Sequence, residues 1–95
     1  MKLFNEIKLS NARRAYKESH ELAIEFVDLM WRDTLEGNII EPADGRLIFQ
    51  ECIREIEKRL KSVELWGCDT TTIDTDIELV KGTYKNWYQN YSYEG

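Results

Sequence analysis

One proline, one histidine and two cysteines are all that 95 residues hold of these types, and each scarcity excludes something. Pro42 is the lone strong helix breaker, so long uninterrupted helices are open to the rest of the chain. His20 alone cannot build a histidine-rich metal centre. On a helix its neighbours three and four positions away are Tyr16, Lys17, Ala23 and Ile24, none a usual metal ligand or base partner. Ser-His-Asp or Cys-His catalysis would need partners brought from other helices, which no motif indicates, so a solvated histidine is expected. Cys52 and Cys68 form no CxxC and adjoin no histidine, whereas structural zinc wants four ligands. Two thiols are also too few for a disulfide framework, and free cysteines suit a reducing cytoplasm. Cys52 reads as a small core residue and Cys68 as a loop thiol.

Long hydrophobic runs are missing as well. No stretch approaches the roughly 20 apolar residues of a membrane span, so no membrane partner is expected. The opening "MKLFNEIKLS" is interrupted by Asn5, Glu6 and Lys8 and lacks the apolar centre of a signal peptide. Excess positive charge is absent too: 13 Lys and Arg stand against 18 Asp and Glu, a formal charge of −5. Such a field argues against direct DNA binding. It favours solubility and would suit a partner with a basic surface. There is no GxxxxGK[ST], GxGxxG or EF-hand loop. Asp69, Asp74 and Asp76 lie close together, but "DTDIEL" lacks the glycine and terminal glutamate of a calcium loop. No cofactor and no metal are expected.

What the sequence does hold is helical periodicity. Ala12, Tyr16, Ser19, Ala23, Phe26 and Met30 step by 4, 3, 4, 3, 4, the spacing of one helical face. Phe49, Ile53, Ile56, Leu60 and Val63 repeat the rhythm, and so do Ile73, Ile77, Val80, Tyr84, Trp87 and Tyr91. Gly37 and Gly67 suit the left-handed residue that follows a helix. Gly82 falls inside the third pattern and weakens it by about 1 kcal/mol relative to Ala. The expected fold is all-α: an antiparallel up-down-up three-helix bundle in one domain. Its helices cover about 10–36, 43–66 and 72–91. A short N-terminal segment holding Leu3, Phe4, Ile7 and Leu9 would lie over the bundle.

This topology sorts the remaining residues by end. At one end Arg13, Arg14, Lys17, Lys58, Arg59 and Lys61 would meet Asp69, Asp74 and Asp76. Cations at the start of a helix oppose its dipole, so pairing with those aspartates is the favoured account. The competing account is anion binding by Arg13, Arg14 and Lys17, with Tyr16 beside them. Glu18, Glu21, Glu25 and Asp28 spell ExxE and ExxD, steps that can hold magnesium for phosphate chemistry. They lie along one helix between Arg14 and Arg32, however, as a salt-laced solvent face does.

At the other end the topology gathers Trp31, Ile39 and Ile40 with Trp87, Tyr88, Tyr91 and Tyr93. Tyr84, Trp87 and Tyr91 belong to the core stripe, while Trp31, Tyr88 and Tyr93 fall outside it and suit an interface, because aromatic side chains dominate binding hot spots. The leading expectation is therefore a non-enzymatic acidic helical protein that binds a protein partner and inhibits or regulates it. A phage counter-defence or toxin-immunity inhibitor has this size and charge. The alternative is a self-associating helical protein, a homo-oligomer that also binds an anionic nucleotide. A magnesium-dependent nucleotide phosphohydrolase is the third reading.

Overall fold

Three helices follow one another along the chain: α1 (Lys2–Leu35), α2 (Pro42–Leu65) and α3 (Thr71–Glu94). The computed structural model describes the backbone of residues 2–94 and the side chains of residues 5–91. Every helix packs on the other two. Side-chain bonds from α1 to α3 and the turn that leads into it join residues 53 to 56 positions apart, as Tyr16 to Asp69, His20 to Asp76 and Asp33 to Trp87. That near-constant offset means the two helices run in the same direction. Between α1 and α2 the order reverses, with Glu18 meeting Arg59 and Leu22 meeting Cys52. The bundle is up-down-up, as the short connections require.

The expected N-terminal segment is not a separate piece. No glycine or proline stands between residues 2 and 35, so nothing ends the helix at Ser10, and α1 runs through it for 34 residues. At 1.5 Å per residue α1 is about 51 Å long against about 36 Å for either neighbour. Its first turns therefore project past the other helices, and the long axis of the molecule reaches 58 Å. Ile7 and Leu9 are exposed on that projection rather than laid over the bundle. The side chains of Leu3 and Phe4 lie outside the described residues.

The three stripes meet in the core. Ala12, Ser19, Ala23, Phe26 and Met30 of α1 are buried with Ile56 and Val63 of α2 and Ile73, Ile77, Val80 and Trp87 of α3. Tyr16, Phe49, Ile53, Leu60, Tyr84 and Tyr91 pack against them half-buried. Both turns are built alike. Gly37 and Gly67 have φ of 92° and 72°, and their N–H groups reach back to Thr34 and Glu64. The next residues, Asn38 and Cys68, donate to the carbonyls of Asp33 and Val63. This pair of bonds satisfies carbonyls that would otherwise be orphaned at a helix end. Pro42 occupies the first helical position of α2, where its missing N–H costs nothing.

Candidate functional site

The aromatic residues near the end of α3 part according to what each side of the helix faces. Trp87 is only 2% exposed and belongs to the core, not to a docking surface. At 3.6 residues per turn, Tyr84, Tyr88 and Tyr91 fall on one side of it and Thr83, Asn86 and Asn90 on the other. The tyrosine side faces α2: Tyr84 stacks on Phe49 with ring centroids 4.3 Å apart, and Tyr88 leans on Tyr84. Tyr91 tilts against Trp87. The amide side faces α1, where Trp31 and Thr34 close a groove of about 210 Å³ with Thr83, Asn86 and Asn90. Trp31 and Tyr88, expected on one surface, thus occupy opposite flanks of α3. Ile39 is exposed in the first turn, while Ile40 and Tyr91 pack half-buried against the core. The side chain of Tyr93 lies outside the described residues.

What keeps Trp87 inside is a residue the sequence reading passed over. Asp33 is 4% exposed, and its two carboxylate oxygens accept different donors. Oδ2 takes the Trp87 indole N–H at 2.7 Å and Asn38 Nδ2 at 3.4 Å, while Oδ1 takes the Ile40 backbone N–H at 2.8 Å. One side chain thereby ties α1 to α3 and shapes the turn into α2. Its signal was present in the chain: Asp33 is the next position of the 4-3 stripe after Met30. It also stands in the last turn of α1, where a carboxylate opposes the dipole.

Asp76 of α3 is a second buried carboxylate, set beside the stripe between Ile73 and Ile77. Its Oδ1 lies 3.0 Å from Nδ1 of the exposed His20. His20 is solvated, as expected, and in addition has a partner from another helix that its helical neighbours did not indicate. Ser19, beside it in sequence, has a buried hydroxyl without a hydrogen-bond partner.

Above this pair one flank carries exposed apolar side chains around a single aspartate. Ile24, Asp28, Trp31 and Leu35 step by 4, 3, 4 along α1 and all are exposed. Trp31 is 61% and Leu35 81% exposed. With the α1–α3 offset of about 55 residues, the exposed Leu79 of α3 is level with Ile24. The flank is thus an outward ridge of Ile24, Trp31 and Leu35 on α1, interrupted by Asp28, beside a neutral amide-lined groove, with Glu21 and Glu25 also exposed along it.

The expected pairing of Arg13, Arg14 and Lys17 with aspartates does not form. Each aspartate is engaged elsewhere: Asp69 accepts from Thr71, Asp74 from Thr70, and Asp76 faces His20. Among the described residues the three cations have no ion pair. All three are exposed near the start of α1, where Lys17 stands three residues from Arg14 and four from Arg13, the spacing of neighbours on a helix surface. Lys58 and Arg59 instead pair with Glu55 and Glu18.

The acidic stripe is likewise divided. Glu18 is drawn to Arg59 at 3.1 Å, away from Glu21, Glu25 and Asp28. Among the described residues His, Cys, Asp and Glu side chains form no group of three or more that could hold a metal ion. Cys52 is half-buried, its thiol directed at the Leu22 carbonyl. Among the described residues no helix is long and apolar enough to cross a membrane. Compared with protein-family models, curated proteins and solved structures, the chain matches none.

Proposed function

We propose that this chain is a non-enzymatic binding module that engages a protein partner along its α1–α3 flank and so inhibits or regulates it, in a reducing cytoplasmic setting. The exposure of Trp31 carries the reading. A tryptophan that leaves most of its area in water gives up burial worth roughly 2 kcal/mol or more, which a partner can recover. Its neighbours on the ridge extend the apolar footprint, and the adjoining groove supplies amides that can bond a partner's polar rim. Large rigid anchors surrounded by weaker contacts are how binding energy concentrates at interfaces. The acidic residues bordering the ridge, within a net charge of −5, favour a surface rich in Lys and Arg. Occlusion of such a surface is the mechanism, of the kind used by counter-defence and immunity inhibitors.

Affinity capture from the source cells with the wild-type chain and with Trp31→Asp tests the proposal. The partner should be retained by the first and lost by the second, and its activity should fall when an equimolar amount of wild type is added. Equal capture by a folded Trp31→Asp variant would sink the reading. The ridge supports one competing occupant, a second copy of the chain, since a twofold axis can set such a stripe against itself. Light scattering separates the two: a concentration-independent monomer removes self-association.

A further inference from the structure

On the opposite side of α1 from the ridge, a second groove of about 430 Å³ runs between α1 and α2. Its charge runs against that of the whole molecule. Arg14, Lys58 and Arg59 line it with Glu18 as the one acid. Glu55, behind them, is already committed to Lys58 and Arg59, which hold its carboxyl below the ordinary range by hydrogen bonds from both. Arg59 is also positioned in advance, with Nε on Glu18 and Nη1 on the Glu55 carbonyl at 2.8 Å. Arg14 is exposed and has no ion-pair partner among the described residues.

The groove is ordered along its length. Because α1 and α2 run in opposite directions, Glu18 and Arg59 mark one end, Arg14 and Ser62 the middle, and Asn11 and Trp66 the other. From Arg59 to Trp66 is about 10 Å along α2. An ion-paired end where Arg59 and Lys58 are held by Glu18 and Glu55, then Arg14 beside hydroxyl and amide groups, and a half-buried indole follow one another in a single cleft.

We infer that the α1–α2 groove binds a phosphate monoester carrying a planar base, of the mononucleotide class, with the phosphate between Arg14, Lys58 and Arg59 and the base against Trp66. Guanidinium groups bind phosphate through paired, charge-assisted bonds. Indole faces accept any base by stacking. The acidic total does not oppose this, because charges farther than about 10 Å are largely screened at ordinary salt. The site is separate from the α1–α3 flank, so either proposal can fail without the other.

Titration of the full chain with AMP, followed by amide and indole NMR signals, tests the inference. The signals of Arg14, Ser62 and the Trp66 indole N–H should shift together and saturate. Adenosine and inorganic phosphate should each bind about tenfold more weakly than AMP, or worse. Arg14→Glu should weaken AMP binding about tenfold or more while the circular dichroism spectrum stays unchanged. Glu18→Gln removes the carboxylate that competes for Arg59 yet leaves the Glu55 contacts. It should tighten AMP severalfold, which a merely structural role for Glu18 would not produce. No shifts at millimolar AMP, wild-type affinity in Arg14→Glu, or shifts confined to the α1–α3 flank would each overturn the assignment. Equal affinity for phosphate and AMP would overturn the stacking of a base on Trp66.

Discussion

Trp87 of α3 donates its indole N–H to the buried Asp33 carboxylate of α1 across 2.7 Å, and this one bond decides which aromatic residues remain outside. With Trp87 drawn inward, Tyr84 and Tyr91 close over it on the α2 side. Trp31, across the amide groove, has no such acceptor among the described residues and stays in water.

Removing that acceptor should be costly. Asp33→Ala leaves the Trp87 and Ile40 N–H groups without their partner and is expected to destabilise the fold by about 3 kcal/mol. Asp33→Asn keeps the shape but turns one of two acceptor oxygens into a donor that faces an N–H. It should therefore also destabilise, by about 2 kcal/mol, rather than act as a silent isostere. Urea denaturation with an unchanged slope checks both.

The tryptophan needs a missing side chain opposite. A Cβ at Gly45 would overlap Trp87 Cη2 and sit 2.6 Å from Cζ3, so Gly45→Ala should cost about 2 kcal/mol through overpacking. In a Trp87→Leu background the same change should cost less, because the obstructing ring is gone. Gly82 is the contrast: nothing lies within 4 Å of its added Cβ. Gly82→Ala is expected to raise stability by about 1 kcal/mol from helix propensity alone.

Ser19 offers a gain of another kind. Its buried hydroxyl lacks a partner, so Ser19→Ala removes an unmet polar group at nearly the same volume. An increase of about 1 kcal/mol is expected. A loss measured by thermal unfolding would show that the hydroxyl holds a bond of its own.

Cys52 predicts an alkaline weakness. Burial, with the Glu25 charge adding to it, pushes its thiol from 9.0 up to about 11. The neutral thiol is thus favoured in the folded chain. Below pH 9 both states keep the proton and stability does not depend on this group. As pH rises from about 9 to about 11 the unfolded chain ionises first, so stability falls across that window. Tyr16, raised mainly by desolvation, contributes in the same direction above pH 10, so Cys52→Ser should remove only part of the decline. Alkylation of Cys52 near neutral pH should run about 100-fold slower than in the urea-unfolded chain, read by mass spectrometry.

The flank makes a prediction about association rather than stability. Trp31→Asp and Leu35→Asp change exposed positions and should shift the unfolding midpoint little, within about 0.5 kcal/mol. They should nevertheless abolish partner capture, whereas Tyr88→Ala, on the other side of α3, should leave it intact. Raising salt should weaken capture if the acidic border contributes.

Three helices, their order, their turns and most of the core could be read from the sequence, because each depends on local geometry. A repeat of 3.6 residues places Ala23, Phe26 and Met30 on one face whatever they meet, and a glycine such as Gly37 or Gly67 ends a helix through its own backbone freedom. α1 extends past the start expected at Ser10, because a residue that favours a cap does not end a helix where no glycine or proline breaks it. Only the tertiary structure decided which charges pair and which rings are covered. His20 with Asp76, Arg59 with Glu18, and Asp33 with Trp87 are 41 to 56 residues apart, so no local pattern selects one partner over another. For Asp33 and Asp76 packing decides by placing the carboxylate where water cannot reach, and there it must take whichever donor the neighbouring helix presents.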